Sequence, residues 1–176
     1  MDIGVVLLMG VSGSGKSTTA SLLHERLGWP FRDADSFHPP ENIEKMSRGV
    51  PLDDADRLPW LHAIAAWIDE RLAGGERGIV TCSALKRAYR DILVGGRTGV
   101  AVVHLRGDKP LIAGRLAARS DHFMPPALLD SQFAALEAPV PAEGVIEISV
   151  AAPPEAVADG IIRALKLEAA PQPTGR

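Results

Sequence analysis

Residues 10–17 read Gly-Val-Ser-Gly-Ser-Gly-Lys-Ser and fit the phosphate-binding pattern G-x-x-x-x-G-K-[ST]. Gly10, Gly13 and Gly15 permit tight or positive-φ backbone, so that successive N–H groups turn inward toward phosphate oxygens. A helix starting near Lys16 adds its positive dipole end to the same spot. In this pattern Lys16 reaches the β and γ phosphates, and the Ser17 hydroxyl is placed to ligate Mg²⁺. The competing explanation is a plain glycine-rich turn. It is weakened by the apolar run Ile3–Met9 before the turn and the amphipathic set Ala20, Leu22, Leu23 and Leu27 after it.

Asp33 and Asp35 come next. Phosphoryl transfer needs a carboxylate near the metal and a group that orients an acceptor hydroxyl and takes its proton. One residue apart in extended chain, the two carboxylates would face opposite sides and suit different tasks; the alternative is a solvated acidic turn. Between Asp33 and Trp60 the chain is dense in charge, His and Pro. His38, Asn42, Lys45, Asp53, Asp54, Asp56 and Arg57 form a candidate polar lining, each of them individually compatible with a plain surface role. As a group they suit a polyhydroxylated, anionic small molecule. Lys86, Arg87 and Arg90 follow the third strand and offer cations to an anion, or else a solvated helix face. Arg115 and Arg119 share a helix face, and the loop after them reads Ser120-Asp-His-Phe-Met-Pro-Pro126. Arginines at such a loop can close over ATP and stabilise the transferring phosphoryl group; a basic helix end is the alternative.

Apolar runs alternate with helical patterns, which predicts a parallel α/β sheet. Strands are expected at Ile3–Met9, Pro30–Arg32, Gly78–Cys82, Val100–Leu105 and Val145–Ser149. Helices are expected at Lys16–Leu27, Glu41–Arg48, Trp60–Ala73, Leu85–Leu93, Pro110–Arg119, Pro126–Leu136 and Pro154–Leu167, with Pro59 fronting the third. All the chemical segments then follow carboxyl ends of strands, where open parallel sheets bind ligands. The 176 residues make one domain, spanning 1–168, with a flexible tail at 169–176. A net charge of −3 argues against nucleic acid as partner. No run approaches the ~20 apolar residues of a membrane span, and no leader sequence is visible. The lone cysteine, Cys82, excludes an intramolecular disulfide and reads as a core residue. A cytoplasmic protein is the expectation.

These residues resemble the gluconokinases, a family of small P-loop kinases related in fold to shikimate kinase and the nucleoside-monophosphate kinases. The resemblance rests on Gly10–Ser17, on Asp33-Ala-Asp-Ser-Phe-His-Pro39 with Asn42, Lys45 and Met46, and on Gly49–Leu52 through Asp54, Asp56, Arg57 and Pro59–Leu61. It extends to Cys82–Asp91, His122–Pro125, Ser131-Gln-Phe133, Leu136-Glu137 and Pro139. It implies a three-layer αβα fold with a five-stranded parallel sheet in the order 2-3-1-4-5, a mobile lid at about 119–126 and a homodimer. The implied reaction is ATP-dependent phosphorylation of D-gluconate at its 6-hydroxyl, giving 6-phosphogluconate and ADP. By the same resemblance Gly10, Ser12, Gly13, Ser14, Gly15, Lys16, Ser17 and Thr18 hold ATP phosphates. Ser17 and Asp33 serve Mg²⁺, and Asp35 orients the acceptor hydroxyl as base. Arg115 lies near adenine with the loop around Ala151–Pro153 opposite, and Arg119 reaches the phosphates. His38, Arg57, Lys86 and Arg90 are the implied gluconate contacts. Asp121 stands where the family often has glycine, which bears on lid closure. No Asn-Lys-x-Asp guanine motif is present, against a GTPase. Two other readings stay open: a kinase of another sugar acid or polyol, and a nucleotide-binding module without turnover. The intact set Lys16, Ser17, Asp33, Asp35 and Arg119 speaks against the second.

Overall fold

β1 (Val5–Met9) is buried along its whole length, and its pleat sends alternate side chains to opposite faces. Val5, Leu7 and Met9 join one core with Leu61, Ile64 and Ile68 of α3 (Asp54–Ala73) and Leu93 of α4 (Arg87–Val94). Val6 and Leu8 join the other with Ala20 and Leu23 of α1 (Lys16–Leu27) and Val157 and Ile161 of α7 (Pro154–Leu165). A strand with two apolar faces requires helices on both, and the result is a three-layer αβα sandwich. The computed structural model describes residues 1–119 and 126–171.

β1 pairs in parallel with β3 (Gly78–Thr81) and β4 (Val100–Arg106). β2 (Phe31–Asp33) flanks β3, and β5 (Ile146–Ser149) flanks β4, giving the order β2-β3-β1-β4-β5. The strand order breaks at β1, where its neighbours are β3 on one side and β4 on the other. The crevice beyond its carboxyl end is therefore the expected ligand site. The remaining helices are α2 (Pro40–Ser47), α5 (Lys109–Ala118) and α6 (Pro126–Ala135). Among the described residues no helix is long and apolar enough to cross a membrane.

Three local differences from the sequence reading bear on the site. α3 begins at Asp54, not Trp60, because Asp53 and Asp56 form a reciprocal capping box that satisfies the first N–H groups. Pro59 therefore lies inside the helix rather than at its front. Asp35 is not in extended chain: Ala34–Phe37 is a 3₁₀ turn whose start is capped by the Asp33 carboxylate accepting from the Asp35 N–H at 3.1 Å. α4 begins at Arg87 rather than Leu85, after a turn in which Ala84 takes φ 46°. The tail, expected to be free from residue 169, is tied at Ala170, whose N–H donates to the Arg26 carbonyl at 2.9 Å. Of the expected lid at about 119–126, residues 120–125, including Asp121 and His122–Pro125, lie outside the described residues.

Candidate active site

Gly15 caps α1 in the left-handed region (φ 90°), so the helix opens with its first N–H groups free toward the crevice. A cavity of about 400 Å³ lies in front of it. Ser12, Gly13, Gly15, Lys16, Ser17 and Thr18 form one wall, and Asp33, Asp35 and His38 form another. Residues far apart in sequence thus face one volume, as the strand-end argument required. Gly10 is buried behind the loop; its N–H donates to the Ser83 carbonyl at 3.2 Å. Ser14 is also buried, and its hydroxyl has no partner among the described residues. Such a hydroxyl, at the start of a helix whose first N–H groups are uncapped, is compatible with an oxyanion site.

The Lys16 ammonium donates to the carbonyls of Gly10 (2.9 Å) and Val11 (3.1 Å), which holds it across the loop. Burial pushes its pKa from 10.5 down to about 8, while the Asp33 and Asp35 carboxylates act the other way. Burial also pushes the Cys82 thiol up to about 12, so this cavity-lining sulfur stays protonated and is no nucleophile. The Ser17 hydroxyl donates to Asp33 Oδ2 at 2.8 Å. These two hard oxygen donors sit side by side next to the phosphate loop, which suits a divalent cation such as Mg²⁺. Among the described residues no group of three or more His, Cys, Asp or Glu forms a closed metal cage. Mg²⁺ sites typically use one or two protein oxygens, completed by phosphate and water.

Asp35 is exposed on the cavity rim. His38 stacks on Trp60 (ring centroids 4.5 Å, planes 11° apart). The Trp60 indole N–H donates to the Ala34 carbonyl at 2.7 Å, which fixes the turn bearing Asp35. Asn42 is buried; its amide donates to the Asp56 carbonyl (2.9 Å) and lies 3.3 Å from His38 Nδ1, leaving Nε2 as the ring's N–H. Burial lowers the His38 pKa, aided by Arg57 and opposed by Asp35.

A second recess of about 310 Å³ continues from the first and shares His38, Trp60, Ser83 and Leu128 with it. Arg57, Lys86 and Tyr89 line its far side. There the Tyr89 hydroxyl donates to the Asp54 carboxylate, Lys86 pairs with Asp54 at 3.1 Å, and Arg57 Nη1 donates to the Tyr89 oxygen at 3.4 Å. The Tyr89 hydrogen bond, then Lys86, holds the Asp54 pKa below the ordinary carboxylate value. On the opposite side of the loop a smaller recess, about 120 Å³, is bounded by Arg115 on α5, by Arg119 just past its end, and by Val150, Ala152 and Pro154. Arg119 borders this recess and the main cavity alike.

One expected ligand has another role. Arg90 is 2% exposed and points away from both recesses into the protein. Its guanidinium pairs with Glu143 at 2.6 Å and donates to the carbonyls of Ala84 (3.0 Å), Leu85 (3.1 Å) and Glu137 (3.0 Å). With those donors spent it braces the turn before α4 and is withdrawn as a gluconate contact. Lys45, Asp53 and Asp56 likewise serve structure. Lys45 pairs with Asp56 at 2.8 Å, and Asp53 with Asp56 caps α3. Trp60, Tyr89 and Gln132 were not singled out as site residues. The sequence signal for Trp60 was a large aromatic in an otherwise polar segment. For Gln132 no periodicity or charge marked it.

A family model described as an AAA domain matches residues 5–139. A gluconokinase of Gluconobacter oxydans (strain 621H) is 46% identical over 163 residues, covering 93% of this chain and 92% of that protein. The unliganded crystal structure of a sugar kinase from Janibacter sp. HTCC2649 is similar at 47% identity and TM-score 0.84, covering 94% of this chain and 95% of that one. A gluconokinase structure from Sinorhizobium meliloti 1021 is similar at 43% identity and TM-score 0.75, covering 93% and 95%.

Proposed function

From the premise that this chain belongs to the gluconokinase family of P-loop kinases, we propose that it transfers the γ-phosphoryl group of ATP to the 6-hydroxyl of D-gluconate. The observation that carries this reading is the continuity of two recesses. A phosphate loop with Asp33 and Asp35 faces the first, and Arg57 and Lys86 line the second. The first suits the nucleotide phosphates, and the second offers cations for a carboxylate and hydrogen-bonding groups for hydroxyls.

In this reading the phosphate-loop N–H groups hold the β-phosphate, with Ser14 and Thr18 beside them. Lys16 spans the β and γ oxygens. The nucleotide base lies in the recess between Arg115 and the Val150–Pro154 segment. Arg119, which borders both volumes, meets charge on the transferring group. Asp35 accepts the proton of the 6-hydroxyl as its oxygen attacks phosphorus; the bond from phosphorus to the bridging β–γ oxygen breaks, and ADP leaves. His38 Nε2–H and Arg57 contact the acid's oxygens, and Lys86 faces its carboxylate. Ser17 and Asp33 would hold Mg²⁺, which when bound neutralises charge on the β and γ oxygens.

The reading includes a homodimer and a cytoplasmic location. Supporting the first, Ile43 and Met46 leave adjacent apolar side chains exposed on α2. Supporting the second are the demand for ATP and a lone, buried cysteine that can form no intramolecular disulfide. The test is ADP release with ATP and Mg²⁺ against D-gluconate, other aldonic acids, shikimate, glycerate and nucleoside monophosphates. Turnover with gluconate alone supports the reading. Turnover with another sugar acid retains the phosphoryl-transfer machinery and replaces the acceptor. No turnover with any member leaves a nucleotide-binding module.

A further inference from the structure

Gln132 of α6 touches the phosphate loop, although 120 residues separate it from its partner. The Ser12 N–H donates to Gln132 Oε1 at 2.6 Å, and Gln132 Nε2 donates to the Ser12 hydroxyl oxygen at 2.9 Å. The backbone N–H can only donate, so the amide oxygen must face it and the amide orientation is fixed. Nε2 then occupies an acceptor lone pair of the Ser12 hydroxyl. The hydroxyl proton is left to point elsewhere, and Ser12 lines the 400 Å³ cavity where the phosphoryl group is transferred. Gln132 itself lines the neighbouring acceptor recess.

The end of the same helix reaches the acceptor wall. The Leu136 N–H continues the helical bonding to the Gln132 carbonyl at 3.0 Å, and the next residue, Glu137, donates its N–H to the Leu85 carbonyl at 2.9 Å. The Glu137 carboxylate accepts from the Arg87 N–H at 2.9 Å. Leu85 and Arg87 flank Lys86. One short stretch of chain thus grips the donor loop at Ser12 and the acceptor wall at Lys86.

We propose that Gln132 is a positioning residue for phosphoryl transfer. It orients the Ser12 hydroxyl as a donor into the phosphoryl cavity and, through α6, fixes the phosphate loop against the Leu85–Arg87 wall. The proposal rests on the kinase reading of the site. Gln132 acts through Ser12 rather than by holding substrate, so its loss weakens the chemical step and spares ground-state binding.

The test is a double-mutant cycle of Gln132→Met and Ser12→Ala, assayed as gluconate-dependent ADP release, with ATP and gluconate dissociation constants from calorimetric titration and thermal midpoints as folding controls. Gln132→Met, close in volume but unable to make either bond, should lower kcat by about 10–100-fold with both dissociation constants within about threefold of wild type. Ser12→Ala should lower kcat by a similar factor, and the pair should fall well short of the product of the singles. Amide hydrogen exchange over residues 10–13 should rise in Gln132→Met and stay unchanged in β5. Wild-type kcat in Gln132→Met, an acceptor affinity loss with kcat intact, fully multiplicative singles, or unchanged exchange over residues 10–13 each overturns the proposal. If wild-type protein ignores gluconate, the kinase reading fails on its own, and the exchange measurement still decides whether Gln132 holds the loop. If Gln132→Met does not fold, Ser12→Ala decides: an unchanged kcat overturns the proposal, and a reduced kcat at unchanged affinities supports it.

Discussion

Replacing Arg90 by Met separates a brace from a ligand. The side chain is 2% exposed, and its partner Glu143 is 10% exposed. Removing the guanidinium strands a nearly buried carboxylate and takes donors from three carbonyls, those of Ala84, Leu85 and Glu137. Breaking a buried pair from one side costs about 3–5 kcal/mol. For a domain of this length each kcal/mol moves the thermal midpoint by about 2–4 °C, so Arg90→Met should melt roughly 6–20 °C below wild type. The double variant Arg90→Met/Glu143→Gln should recover part of that loss, because much of it belongs to the stranded charge. Acidity gives a second handle. The Arg90 hydrogen bond, followed by the Val140 N–H, holds the Glu143 pKa below its ordinary 4.5. A depressed carboxylate pKa adds stability that is complete above the unfolded value and disappears as pH falls through the folded one. The gap between wild type and Arg90→Met should therefore be full at pH 6–7 and narrow below about pH 4.5. Melting by circular dichroism measures both, and steady-state kinetics at 20 °C supplies the decisive contrast: KM for gluconate should stay within about threefold. A tenfold rise in that KM with an unchanged midpoint would restore Arg90 as a ligand and refute the assignment.

Lys16 should make ATP affinity fall with alkaline pH. Its pKa is about 8 and phosphate binding needs the proton, so affinity is full below about pH 7 and drops about tenfold between pH 7 and 9. Calorimetric titration checks this, with Lys16→Met flat and nearly inactive; a constant wild-type affinity counts against it. Asp35→Asn should lower kcat about 10²–10⁴-fold and change the ATP dissociation constant little; an unchanged kcat removes Asp35 from the base role. Gly13→Ala should cost about 1–3 kcal/mol and weaken ATP binding. Gly13 has φ +83°, and an added Cβ would lie 2.7 Å from Leu116 Cγ. Trimming Leu116 to Ala in the same chain should relieve only the contact part, and a wild-type midpoint for Gly13→Ala would contradict the strain argument.

The layers were legible because each rests on local pattern. The unbroken apolar run Val5–Met9 announces a strand covered on both faces, and the octet at 10–17 contains its own turn, cap and helix start. Boundaries failed where a short polar motif outweighed the punctuation used to place them. Pro59 looked like a helix front, yet Asp53 and Asp56 cap each other and start α3 before it. Asp33 looked like one of two splayed carboxylates, yet its side chain caps the turn that presents Asp35. The two acids are nonetheless placed differently: Asp33 accepts from Ser17, and Asp35 is exposed on the cavity rim.

The acceptor half was legible only as a list of polar residues, and the reason is physical. Lys86 and Arg90 are both cations four residues apart after the same strand, and charge cannot separate them. What separates them is the turn at Ala84, which leaves Lys86 just outside α4 and turns Arg90 inward beside the buried Tyr89 and Leu93. Glu143 and the Glu137 carbonyl from a distant segment, with the nearby Ala84 and Leu85 carbonyls, then fix the inward choice. Asp54, Tyr89 and Arg57 likewise acquire their roles from one another across α3 and α4. A phosphate is recognised by backbone, so its site can be written in eight consecutive residues. An acceptor pocket that recognises hydroxyls and a carboxylate needs side chains converging from several elements, and the information that sorts its ligands from its braces is in the tertiary contacts. That difference accounts for why the phosphate loop could be placed from its octet alone while the acceptor set lost Arg90, and why Ser131-Gln-Phe133 could be matched to a family without revealing that Gln132 bonds Ser12.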